Sequence, residues 1–363
     1  MNSIQDQDYV CLDDFQKAAN EQLQSSSFNY FADGCNEQFT LKENREAFKR
    51  YRMRPKLLRD VSNIDLSTTI LGERISWPVC LSPTAIQRLA DCDEGEVATA
   101  RAATSVGSVM TLSCLSTRTI EDVAAATPHG VRWMQVQFLN PRKQLENLIE
   151  RAEQSGYTAL VVTVDQPIRG KKYNFTKDYN ASLLTFTGHA KPVNVDLSVG
   201  EVDFDNSATW HDIKWLKSFT KLPLVLKGIT TSDQAKNAVE CGADAILVSN
   251  HGGRQLDYLP ATIDALPEVV AAVKGSGVEV YMDGGVRHGT DVFKALARGA
   301  RAVFIGRPII WGLSCKGYEG AKQVLDILKD EVEKTMALMG CRNVNEIEPS
   351  MVVHQDYYRQ QAL

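Results

Sequence analysis

The chain has 363 residues, enough for two average domains or for one large barrel of about 250 residues with additions. Its 44% hydrophobic and 23% charged residues, with a mean hydropathy of -0.23, exclude a disordered chain and supply ample material for a core. A formal net charge of -5 without any dense lysine or arginine block argues against nucleic-acid and membrane-surface partners.

Apolar runs such as Thr158 to Val164 are strand-sized, far short of the roughly 20 residues that span a bilayer. The stretch Met1-Asn2-Ser3-Ile4-Gln5-Asp6 has neither the basic region nor the apolar run of a secretory signal, and the eight cysteines form no Cys-x-x-Cys pair. A soluble intracellular protein with reduced cysteines and no metal site is expected.

In chain order, residues 1 to about 76 come first, with Leu12, Phe15, Ala19 and Leu23 at helical spacing, which predicts a helical cap. Strand candidates follow at 79–82, 109–113, 133–138, 222–226 and 278–282, and at the apolar runs that begin with Ala159, Ala245 and Ala302. These last three share one pattern: Gly156-Tyr157-Thr158-Ala159, Gly242-Ala243-Asp244-Ala245 and Gly299-Ala300-Arg301-Ala302 each join a helix-period stretch to a strand. Each glycine suits a left-handed helix C-cap, and each apolar run suits a strand buried on both faces. Leu145, Leu148, Ile149 and Ala152 define one helical face, Val292, Phe293, Leu296 and Ala297 another, and Ser232 and Thr290 are predicted N-caps.

Eight strands alternating with helices predict an α/β protein with a parallel (β/α)8 TIM barrel over 77–363, in one domain of 1–363; an open doubly wound sheet is the alternative. Residues 166–209 are too long for an ordinary βα connection and predict a lid after strand 4. Asn174-Phe175-Thr176 and Asn180-Ala181-Ser182 within it match the glycosylation pattern, which without a signal peptide reads as chance.

The predicted strands end in Thr84, Ser113, Gln135, Thr163 and Asp165, Lys227, Ser249 and His251, Asp283, and Gly306 and Arg307. In Ser249-Asn250-His251-Gly252-Gly253-Arg254-Gln255-Leu256-Asp257 an ionisable base and a potential carboxylate clamp share one loop. Alone, a His-x-x-Arg is more often a solvated turn. Asp283-Gly284-Gly285-Val286-Arg287 and Gly306-Arg307 follow the last two strands, where barrels often bind phosphate; two arginines beside two glycine turns favour a dianion over plain tight turns. Lys227 reads either as a buried structural lysine or as a cation beside a cofactor ring.

Together with Tyr30-Phe31-Ala32-Asp33-Gly34, Pro83-Thr84-Ala85-Ile86-Gln87, Thr163-Val164-Asp165 and Lys227-Gly228, these motifs resemble the FMN-dependent 2-hydroxy acid oxidases over nearly the whole chain. The resemblance implies oxidation of a 2-hydroxy acid to a 2-oxo acid, with FMN as cofactor and dioxygen as acceptor giving hydrogen peroxide. It implies that Pro83, Thr84, Ala85, Ser113, Gln135, Thr163, Lys227 and Ser249 surround the flavin, Lys227 at its N1 and O2 edge. The phosphate would fall to Asp283, Gly284, Gly285, Val286, Arg287, Gly306 and Arg307. His251 would be the base, Asp165 would stabilise its protonated form, and Tyr30 and Arg254 would bind the substrate, Arg254 by a bidentate grip on its carboxylate. Removal of the proton from carbon and from the hydroxyl both stay open.

Three positions depart from the family: Leu115 in place of tryptophan, Gln137 in place of tyrosine, and Lys172 in place of a lid arginine. All three are expected on the substrate side, and the smaller Leu115 and Gln137 predict longer or bulkier substrates. The ending Gln361-Ala362-Leu363 lacks the basic middle residue of the peroxisomal Ser-Lys-Leu type, so cytoplasm and peroxisome are both expected locations. A homotetramer is implied by resemblance, and an attached cytochrome acceptor is not expected. An FMN-dependent isomerase-type barrel and an FMN-binding protein of low turnover remain as rivals.

Overall fold

The computed structural model describes residues 9–173, 190–196 and 202–360. Eight parallel strands close into a barrel: β1 (Val79–Leu81), β2 (Val109–Ser113), β3 (Val131–Val136), β4 (Ala159–Thr163), β5 (Leu224–Ile229), β6 (Ala245–Val248), β7 (Glu279–Asp283) and β8 (Ala302–Ile305). Closure is made by β8 pairing with β1, Val303 opposite Val79 and Ile305 opposite Leu81. The barrel expectation therefore holds over the open sheet.

Why the strands read as unbroken apolar runs follows from their two-residue period inside a double-sided burial. In β4, Ala159 and Val161 point into the barrel while Leu160 and Val162 join the layer packed beneath the helices. The barrel interior is filled by Trp133, Tyr281 and Phe304, whose ring centroids lie 5.6–5.8 Å apart, together with Cys80, Val109, Val225 and Leu247. Gly156, Gly242 and Gly299 all have positive φ, as a left-handed cap requires.

The same period decides what crowns the barrel. Continuing each inward face by one step gives Ser82, Ser113, Gln135, Thr163, Lys227, Ser249, Asp283 and Gly306 at the C-terminal mouth. Register aligns them in neighbouring pairs: Ser113 opposite Gln135, and Thr163 opposite Lys227.

The N-terminal stretch is only partly the helical cap expected. It contains α1 (Leu12–Gln22), α2 (Ser25–Ala32) and α3 (Phe39–Glu46), but also strands. Tyr51–Met53 pairs antiparallel with Val352–His354, and Thr68–Ile70 pairs with Glu73–Ile75. That hairpin turns through Leu71 and Gly72, both at positive φ, the geometry of a two-residue hairpin turn. Its Ile70 and Ile75 are 0% and 2% exposed and belong to the interior cluster, so the hairpin plugs one end of the barrel.

Two predicted N-caps shift toward the preceding residues. Thr231 caps the helix Ser232–Glu240, its side chain accepting from the Gln234 amide, and His288 precedes the helix Gly289–Ala297. Ser232 and Thr290 lie inside the first turns, because an N-cap needs the extended backbone that Thr231 and His288 adopt. Of the expected lid, 166–173, 190–196 and 202–209 are described; Asn174, Asn180 and the final Gln361-Ala362-Leu363 lie outside the described residues. The return segment is tied down by Asn194, which bonds Ser116 Oγ, the Arg118 carbonyl and the Ile120 amide. Among the described residues no helix is long and apolar enough to cross a membrane.

Candidate active site

One cavity at the barrel mouth gathers most of the expected residues. Pro83, Thr84, Ala85, Ser113, Gln135, Thr163 and Lys227 line it, as do Asp283, Gly284, Gly285, Val286, Arg287, Gly306 and Arg307. Tyr30, Leu115, Gln137, Lys172, His251 and Arg254 complete its substrate side. Two expected residues lie behind the wall. Ser249 is fully buried and its hydroxyl accepts from the His251 amide, so in this structure it shapes the loop. Asp165 stands behind the His251 ring.

The loop after β6 is clamped by the cap. Asn44 on α3 and Asn250 exchange two amide hydrogen bonds of 2.8 Å, and the Cys35 amide donates to the Gly253 carbonyl at 2.7 Å. Asp257 accepts from the Phe39 and Thr40 amides and so caps the start of α3. Neither Asn250 nor Asp257 was distinguishable in the sequence from the residues that face a ligand. Held this way, His251 adopts φ of 57°, a left-handed conformation that is rare for a side chain of this size and typical of functional sites.

His251 Nδ1 lies 2.9 Å from Asp165 Oδ1. Burial and then the charge of Lys227 push the imidazole below its ordinary value, although Asp165 opposes them. Burial works to raise the Asp165 carboxyl, but the charges of His251 and Lys227 outweigh it and hold the group below the usual carboxylate range. A neutral imidazole that donates through Nδ1 to an ionised carboxylate keeps Nε2 as a proton acceptor. The pair can act as a general base.

Arg254 is aimed by Nη1, which donates to the carbonyls of Phe31 at 2.9 Å and Asp33 at 3.3 Å, and its guanidinium lies over the Tyr30 ring at 5.4 Å. Among the described residues no hydrogen bond engages its Nε or Nη2, which leaves one edge of the fork for a carboxylate. Gln137 is buried, and its Nε2 has no partner. Arg169 also lines this side; it sits four residues beyond Asp165, and no local pattern in the sequence marked it.

At the opposite end two buried guanidiniums, Arg287 and Arg307, line the cavity. Burial, then Arg254 and Arg287, push Arg307 well below its ordinary value, and burial, then Arg45, bring Arg287 down to about 10. Arg307 donates to the carbonyls of Phe31, Gly252 and Asp33, which locks cap to loop and leaves two of its five N–H groups for a ligand. Arg287 Nε and Asp283 Oδ1 are buried without partners. A Cβ at Gly285, whose φ is +80°, would fall 1.9 Å from the Asn44 carbonyl, so only glycine fits the turn that brings backbone amides to this end. Two buried cations, the unpartnered donor Arg287 Nε and a glycine turn fit a phosphate, and the hydroxyl and amide ring of Thr84, Ser113, Gln135 and Thr163 fits a polar heterocycle beside it.

Residues 19–354 match the model of the FMN-dependent dehydrogenase family. The chain belongs to that family. FMN is accordingly its cofactor, and the residues above are suited to hold it. Relatives include 2-hydroxyacid oxidase 1 of Mus musculus, 46% identical over 360 residues and covering 94% of this chain and 96% of that protein. Glycolate oxidase of Spinacia oleracea is 44% identical, covering 94% and 95%. Among solved structures, mandelate oxidase with (S)-2-phenylpropionate superposes with a TM-score of 0.87 at 38% identity, covering 94% of this chain and 98% of the other.

Proposed function

We propose that the protein oxidises an (S)-2-hydroxy acid to the 2-oxo acid, and the observation that carries this reading is the 2.9 Å His251–Asp165 pair beside Arg254 in the cavity that ends at the phosphate turns. Arg254 and Tyr30 grip the substrate carboxylate and turn C2 toward His251. His251 takes one proton through Nε2, and Asp165 stabilises the imidazolium that forms. Gln137 supplies an amide donor where its Nε2 is otherwise unpaired. Lys172 and Arg169 close the cationic side of the pocket.

Gly284 to Arg287 with Gly306 and Arg307 would hold the FMN phosphate, Asp283 would accept from a hydroxyl of the cofactor, and Pro83, Thr84, Ala85, Ser113, Gln135, Thr163 and Lys227 would surround the ring. Bound there, FMN supplies a two-electron acceptor that dioxygen reoxidises, with hydrogen peroxide as product. A homotetramer, residence in the cytoplasm or peroxisome, and preference for acids larger than glycolate belong to the same reading.

Anaerobic mixing of the purified holoenzyme with glycolate, lactate, 2-hydroxyoctanoate and mandelate tests it. Bleaching of the flavin by at least one acid, with peroxide formed on readmitting air, is expected. A flavin that none of the four bleaches would leave a binding protein of low turnover.

A further inference from the structure

Glu96 opens the helix Glu96–Ser105 and is 0% exposed, a burial that a carboxylate tolerates only when its oxygens are bonded. Its partners are uncharged and come from two different loops. Oε1 accepts from the Gln87 and Thr117 amides, each at 2.9 Å, and Oε2 accepts from Thr117 Oγ1 at 2.7 Å. Gln87 lies at the end of the loop that leaves β1 through Pro83, Thr84 and Ala85, and Thr117 follows β2 by way of Leu115. Thr84, Ala85, Ser113 and Leu115 line the active-site cavity, whereas Gln87, Glu96 and Thr117 stand behind them. Resting on the placement of FMN proposed above, we propose that Glu96 is a positioning residue for the cofactor, which clasps these two loops from behind and turns the Ala85 amide into the cavity.

The path from Glu96 to Ala85 is continuous. Gln87 is buried, and its Oε1 accepts from Thr99 Oγ1 at 2.8 Å, which directs its Nε2 to the Thr84 carbonyl at 3.1 Å. That carbonyl and the Ala85 N–H share one trans peptide plane and point opposite ways, so a carbonyl turned back to Gln87 sends the amide forward. Among the described residues no acceptor takes it. Next in the chain is Ile86, with φ of 57° and ψ of 46°, a left-handed conformation that a β-branched side chain rarely adopts. Such strain persists only where the surroundings hold it. Here the Ile86 amide donates to the Leu115 carbonyl at 3.1 Å, and the amide after it, that of Gln87, is fixed on Glu96. The strained residue joins the two loops at the point where one carboxylate clasps both.

Two properties of the holoenzyme test this: the FMN dissociation constant, from the flavin fluorescence released on dilution, and the visible absorbance of the bound flavin, with circular dichroism as the check on fold. Glu96→Met takes the acceptor from both amides at similar volume, and should raise the dissociation constant about tenfold or more and shift the flavin absorbance. Glu96→Gln keeps an oxygen for both amides and should return the affinity to within about threefold of the parent, with the parent's spectrum. Gln87→Met leaves its amide on Glu96 but frees the Thr84 carbonyl; it should weaken FMN about fivefold, and it tests the path even where Glu96→Met does not fold. Parent-like affinity and absorbance in Gln87→Met, or a Glu96→Gln variant no better than Glu96→Met, overturns the proposal. Ala85→Trp fills the cavity wall itself. If it binds FMN as tightly as the parent, the placement of the cofactor fails and the Glu96 assignment falls with it; if it excludes FMN while the other variants hold it normally, only the Glu96 assignment falls.

Discussion

At the phosphate end of the active-site cavity, β7 and β8 run directly into glycine turns, and the ligand-facing groups follow within a few residues of their strands. At the substrate end the side chains come from separate places: Tyr30 from α2, Gln137 from beyond β3, Lys172 from the start of the long connection, His251 and Arg254 from the loop after β6. The first end is local and rigid by covalent continuity. The second is an assembly, held in place by the Asn44–Asn250 amide pair and by Arg307 bonding across to the Phe31 and Asp33 carbonyls. Substitutions should therefore separate cofactor retention from chemistry, and each prediction below is a way to test that division.

The largest effect is expected from His251→Gln. Loss of the base should slow anaerobic flavin reduction by roughly 10²- to 10⁴-fold while FMN stays bound, since the phosphate turns are untouched. Near-parent reduction by stopped-flow absorbance would take His251 out of catalysis. In the parent, a base with a depressed pKa is neutral and active above it and is lost as pH falls through it. The acid limb of kcat/KM should therefore lie below about 6.5, the ordinary imidazole value.

Next come two arginines that should fail in opposite ways. Arg287→Ala removes a buried cation from the phosphate end and should raise the FMN dissociation constant by roughly 10- to 100-fold, read from flavin fluorescence on dilution, with reduction of the FMN that remains bound little changed. Arg254→Lys keeps a charge but loses the planar fork, and should weaken binding of a carboxylate inhibitor by a similar factor with FMN retention unaltered. If both variants shed FMN equally, the two ends of the cavity are not independent.

Legibility in the sequence follows the same division. The crown of the barrel could be read because inward residues recur every second position, which carries Ser113, Gln135, Thr163 and Lys227 to the mouth once the strands are placed. Ser82 escaped because the run 79–82 was read as ending at Thr84; its hydroxyl in fact donates to Asp283 at 3.1 Å. The Thr68–Ile75 hairpin escaped for want of a glycine pair or Asn-Gly, although Leu71-Gly72 makes the same turn. Asn250 and Asp257 show the limit most clearly. They sit in the most recognisable motif of the chain, yet their partners Asn44 and Thr40 lie more than 200 positions away, and no local pattern encodes such contacts.

A smaller effect is expected where the substrate wall departs from the family. Restoring bulk with Leu115→Trp and Gln137→Tyr together narrows the substrate end of the cavity. The ratio of kcat/KM for glycolate to that for 2-hydroxyoctanoate should rise by about tenfold, an amount that one or two methylenes of lost burial accounts for. An unchanged ranking of glycolate, lactate, 2-hydroxyoctanoate and mandelate would relieve both positions of a role in specificity.

The smallest effect is expected at Lys172, whose charge changes near neutrality. Burial, then the neighbouring charges of Arg254 and Arg307, push its ammonium down to about 7, with Arg169 adding to the crowding and Cys35 opposing it. A lysine depressed in this way is cationic below that pH and neutral above it, while a carboxylate inhibitor stays ionised throughout. Affinity for the inhibitor should fall a few-fold as pH rises from about 6.5 to 8.5, a window in which His251 is already neutral. Lys172→Arg holds its charge across the same range and should flatten that slope without changing FMN retention. An identical slope in variant and parent would assign the pH dependence to another group and leave Lys172 as packing for the substrate wall.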